Sequence, residues 1–140
     1  MRTRLIGMAV AAALATTGLA MSSSTAAAYD APRCYGAIVS DGVRSINNRV
    51  DEPIGQVELW YNSRTGENCV MTRNYLGRVA TLNAVLRVEN GPTETVSGRW
   101  RVYSDGATLP ARSRCVAYSG SVNGGGVDTG SASRGFGNCN

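Results

Sequence analysis

Residues 55–72 read GQVELWYNSRTGENCVMT. Two alternating runs flank a polar knot, and a cysteine sits just past it. In the first run Val57, Leu59 and Tyr61 fall on one side of an extended chain, and Gln56, Glu58 and Trp60 on the other. In the second, Cys69 and Met71 alternate with Val70 and Thr72. A period of two is that of a β-strand whose faces meet different surroundings. In the knot between them, Gly66 accepts a positive φ at no steric cost, while Asn and Ser close turns through their own side chains. The expected object is a β-hairpin with a loop of about 3–5 residues. A phosphate-cradling loop would need a helix behind it to converge its amides. A strand follows here, so the knot reads as a turn and not as an active site.

The same period extends outward. Residues 81–90, TLNAVLRVEN, place Leu82, Ala84, Leu86 and Val88 on one face, and Thr81, Asn83, Arg87 and Glu89 on the other, with Val85 among them. A helix would need its apolar stripe at three-four spacing, which this segment lacks. Weaker strands are expected over residues 99–104 (RWRVYS) and 114–122 (RCVAYSGSV). Residues 35–40 and 43–50 are short strand candidates, with Asp41-Gly42 as the turn between them. Turn residues recur roughly every 8–12 positions, the pattern of an all-β antiparallel sandwich or barrel. Residues 120–140, rich in Gly, Ser and Asn, are expected to form a tail that builds little core and is held down through Cys139.

Ahead of this domain stands a different kind of sequence. Arg2 and Arg4 precede an apolar, small-residue run over 5–20, and Ala26 and Ala28 fit the small-x-small rule of a signal peptidase. A basic start, an apolar middle and a small-residue exit make residues 1–28 a secretory signal peptide cut after Ala28. The expected product is one secreted domain, residues 29–140, with no transmembrane segment left after cleavage. Two of the 14 basic residues leave with the leader, so 12 arginines face 10 acids and the net charge is +2. That surplus is too small to argue for nucleic acid or anionic lipid.

Cys34, Cys69, Cys115 and Cys139 all lie in the exported part. An even number in an exported chain points to two disulfides, and sequence leaves all three pairings open. Zinc fits poorly, because there is neither a CxxC pair nor a histidine. No metal and no cofactor is expected. The absence of histidine also removes Ser-His-Asp and Cys-His nucleophiles. Paired carboxylates remain, with Asp41, Asp51, Glu52, Glu58, Glu67, Glu89, Glu94 and Asp105 as candidates. A solvated acid at a turn or on a polar strand face explains most of them. Among the aromatics, Trp60 sits on the polar side of its strand, Trp100 lies between two arginines, and Tyr118 follows the third cysteine. Exposed Trp and Tyr stack on sugars or anchor partners, so these three are the candidate contact surface. Packing beneath a second sheet is the commoner fate of such a ring.

On the hairpin residues the chain resembles the spore-associated protein A family of Streptomyces and related actinobacteria. The family pattern G-x-V-x-L-x-Y-N, a turn ending in T-G, then N-C-V-x-T is matched by Gly55, Val57, Leu59, Tyr61, Asn62, Thr65, Gly66, Asn68, Cys69, Val70 and Thr72. The chain departs from the family after the third cysteine. An element of the type C-V-x-W-G-G is replaced by Cys115-Val116-Ala117-Tyr118-Ser119-Gly120. The resemblance implies a secreted, disulfide-bearing β domain found with aerial hyphae or spores. It transfers no catalytic residue. It also implies that Cys69 pairs with Cys34 and Cys115 with Cys139.

The expected function is therefore that of a non-enzymatic protein of the spore or aerial-hypha surface, with spore or cell-envelope components as partners. Two alternatives stand beside it. One is a secreted binding module or protease inhibitor that offers residues 62–68 or 105–113 as bait. The other is a small glycan-acting enzyme using two carboxylates.

Overall fold

The computed structural model of the protein describes residues 32–139. The expected signal peptide, residues 1–28, lies outside them. The described residues form eight strands and no helix: β1 (Ala37–Asn47), β2 (Pro53–Asn62), β3 (Glu67–Asn74), β4 (Ala80–Val88), β5 (Thr93–Trp100), β6 (Ala107–Pro110), β7 (Val116–Asn123) and β8 (Thr129–Gly137). They build two four-stranded antiparallel sheets, β1-β2-β3-β6 (sheet A) and β5-β4-β7-β8 (sheet B). The all-β sandwich with two disulfides is thus the architecture of the chain.

Alternation decides the packing. Val57, Leu59 and Val70 of sheet A face Leu82, Ala84, Leu86, Val116, Tyr118 and Val122 of sheet B, all buried. Both sides of the sandwich are closed. At one, Arg134 of β8 donates to the Asp41 carbonyl of β1 at 2.9 Å. At the other, the Thr108 amide of β6 donates to Glu94 of β5 at 2.9 Å. Asn74 ties the crossover between the sheets. Its Nδ2 donates to the carbonyls of Arg78 at 2.8 Å and Arg101 at 3.0 Å, and its Oδ1 accepts from the Leu76 amide at 2.9 Å.

The knot of residues 62–68 is the β2–β3 turn. Asn62 pairs with Glu67, the Asn62 side chain accepts from the amides of Arg64 and Thr65, and Gly66 sits at φ 77°. Three segments differ from the sequence expectation. First, residues 35–50 do not form two short strands around a turn. β1 runs through, and the Asp41-Gly42 signal is spent on a bulge between Ile38 and Val43, with Asp41 at φ 59°. Second, the strand expected over 99–104 is displaced. β5 starts at Thr93, and after Trp100 the chain crosses to β3, where Asn74 donates to Val102 and Ser104 to Thr72. Third, residues 120–139, held down by the Cys115–Cys139 bond as expected, are more than a tail. They complete β7 and supply β8, whose ladder runs from Asn123↔Thr129 to Val116↔Gly137. Short side chains suit this strand because it lies close to β1. A Cβ on Gly130 would meet the Asn47 carbonyl oxygen at 1.9 Å.

Candidate functional site

Sheet A carries an unusual outer face. By parity β2 turns Gln56, Glu58 and Trp60 outward, and β3 adds Cys69, Met71 and Arg73 in register, with Gln56 opposite Arg73 and Trp60 opposite Cys69. Such a face is normally wet. Here the disulfide Cys34–Cys69 holds the N-terminal segment against it, and Tyr103 arrives from the crossover to pack with Met71. Met71 is consequently sealed, and Glu58 is only 3 % exposed.

A buried carboxylate needs donors. Glu58 accepts from Gln56 Nε2 at 2.6 Å and from Trp60 Nε1 at 3.1 Å. The Tyr75 hydroxyl donates in turn to Gln56 Oε1, so the chain Tyr75–Gln56–Glu58–Trp60 spans the face. Burial pushes the Tyr75 phenol above its ordinary value, which keeps it a donor, although nearby Arg73 works the other way. Arg73 lies 5.4 Å from the ring centroids of both Tyr75 and Tyr103 and has no carboxylate partner among the described residues. The outer edge of this cluster is open, with Tyr75 exposed and Trp60 half-buried. Such an arrangement stacks and hydrogen-bonds. Proton transfer is poorly served, since both Glu58 oxygens already accept from neutral groups.

Of the three candidate contact residues, only Trp60 reaches this surface. Trp100 is 7 % exposed and Tyr118 2 %, and both belong to the main core. They are corrections to the expected contact surface. Tyr118 shares the inward parity of Val116 and Val122, and Trp100 turns under Gly98 where β5 ends. Gln56, Arg73, Tyr75 and Tyr103 were missed. Register along the hairpin could have found the first two. Tyr75 and Tyr103 carry no local signal, because the β3–β4 and β5–β6 crossovers bring them in.

Several acids have structural partners. Asp41 is gripped by Arg44 at 2.7 and 3.1 Å and by Arg134 at 2.8 Å, and the Arg44 hydrogen bond holds its carboxyl below the usual carboxylate range. Asp51 accepts from Asn47 at 2.8 Å, and Glu94 caps the Thr108 amide. Two nearby arginines also have structural partners, Arg112 donating to the carbonyls of the β2–β3 turn and Arg114 to that of Glu89. Of the two loops expected as bait, residues 62–68 make a tight turn and 105–113 contain β6, paired to β3.

No family model matches the chain, and no solved structure matches it either. A curated relative does. Spore-associated protein A of Streptomyces coelicolor is 32 % identical over 116 residues, covering 81 % of this chain and 73 % of the relative. With that identity across most of both chains, and with the hairpin motif on β2 and β3, the chain belongs to the spore-associated protein A family.

Proposed function

We propose that this protein is a secreted, non-enzymatic component of the spore or aerial-hypha surface, held there by adhesion to envelope components through the outer face of β2 and β3. The observation that carries the reading is the Tyr75–Gln56–Glu58–Trp60 chain. Its carboxylate is spent on internal hydrogen bonds, while Trp60, Tyr75 and Arg73 remain at the open edge to stack on a partner. Two disulfides suit life outside the cell. The relative's name supports the location.

Fractionation of a sporulating culture tests this. The protein is expected to stay with washed spores and to leave in detergent or reductant, and a Trp60→Ala, Tyr75→Ala double variant is expected to appear largely in the medium. Recovery of the unaltered protein wholly in the medium would sink the adhesion reading. Cleavage of an envelope polysaccharide by the purified domain, abolished in Glu58→Gln, would sink the non-enzymatic one.

A further inference from the structure

The outer face of sheet B holds a second feature. Most of its outward residues are short and polar: Thr95, Ser97, Asn83, Ser121 and Ser131 stand in neighbouring rows. The pattern breaks at one end. Opposite Ala117 of β7, the β8 ladder shifts register, so that two residues, Gly135 and Phe136, face a single one. This is a β-bulge, and such bulges re-aim side chains. Strict alternation from inward-facing Ala132 would turn Phe136 toward the core. With the bulge it is 48 % exposed, and it is the only phenylalanine in the chain.

Across β7, Ala117 has Arg87 of β4 as its other neighbour. The small Ala117 side chain lets the guanidinium reach over it, and Arg87 stands 5.7 Å from the centroid of the Phe136 ring. Ser119 and Ser133, paired side by side in the next row, complete the rim of a cleft of about 250 Å³. Arg134 at its margin is already paired with Asp41. Arg87 has no carboxylate partner among the described residues. The cleft therefore presents one uncompensated planar cation, steadied by an aromatic ring, beside two hydroxyl donors. That set fits an oxyanion with several acceptor oxygens: the guanidinium fork takes two, and the serines reach the others.

We infer that this cleft binds a phosphate group, by Arg87, Ser119 and Ser133, with Phe136 holding the guanidinium in place. The site is separate from the outer face of β2 and β3, and its failure would leave the adhesion reading untouched.

The test is a nuclear magnetic resonance titration of the domain with inorganic phosphate and, separately, with a glycerol-phosphate polymer. The Ser119 and Ser133 amides are expected to shift saturably. Arg87→Gln is expected to weaken binding at least ~10-fold. Phe136→Ala, which keeps the charge, should weaken it about threefold. Arg87→Lys, which keeps the charge and loses the fork, falls between them. Arg99→Gln, on the same face but outside the cleft, should change nothing. Tighter retention of the polymer assigns the cleft to phosphodiesters of an envelope polymer, whereas equal binding of the free ion assigns it to phosphate itself. Absence of a saturable shift at both serines overturns the inference. So does undiminished binding by Arg87→Gln.

Discussion

On the outer face of sheet A, Glu58 lies 3 % exposed within a lattice of long side chains, and a disulfide fastens a further piece of chain to the same face. On the outer face of sheet B, Ser131 and Ser133 stand in solvent, and Arg87 and Phe136 stack at the bulged end. The same backbone geometry thus supports two kinds of surface. Face A owes its order to contacts made on that face, whereas face B is ordered by the core beneath it. Substitutions on A should therefore be felt by the whole fold, and those on B should act only on what the face binds.

The sharpest way to break this contrast is the disulfide that fastens face A. Replacing Cys34 and Cys69 by serine opens a link spanning 35 residues and should cost about 3–4 kcal/mol in chemical denaturation. A much smaller loss would mean that the covering of face A is held without it. Next in size, Glu58→Ala strands the Gln56 and Trp60 donors and should cost about 2–3 kcal/mol. By contrast, Ser131→Ala on face B should stay within about 0.5 kcal/mol. Equal effects at these two positions would erase the distinction.

Alkaline titration probes the contrast more gently. Burial raises the phenols of Tyr75 on face A and Tyr118 in the core above the ordinary value of 10.0. Because the native values exceed the unfolded ones, the stability they contribute is whole below about pH 10 and is lost as pH rises through the native values. Absorbance of the phenolates should show a late-titrating class that shrinks in Tyr118→Phe. The smallest effect belongs to the surface trio of Asp41 with the half-buried Arg44 and Arg134. Asp41 is held below its ordinary 3.8, so its contribution is present above that pH and fades as pH falls through the native value. Asp41→Asn should flatten the acid limb of the melting curve slightly, and added salt should mask the difference.

Legibility in the sequence followed the same divide. The β2–β3 hairpin and β4 could be read because one side of each is buried and apolar, so period two is written in the side chains. β5 and β8 could not, since Ser, Thr and Gly occupy half the positions of Thr93–Trp100 and six of the nine of Thr129–Gly137. At the candidate site, Glu58 and Trp60 were visible from parity. That Glu58 would be buried was not, because the hydrogen-bond chain across the face is completed by Tyr75, which is remote from it in sequence. Trp100 misled for a related reason. Its flanking arginines suggested exposure, yet the end of β5 turns the indole inward.

The strand order has a further consequence, for when the molecule can fold. β6 joins β3 in sheet A only after β4 and β5 have been laid into sheet B, and β7 and β8 then complete sheet B. Neither sheet can be finished by an early stretch of chain, and the seam between β1 and β8 joins the first strand to the last. Such interleaved, long-range pairing folds slowly. Under the secretion proposed above, this delay would leave the leading half of the chain with no complete sheet to collapse into while the rest is in transit.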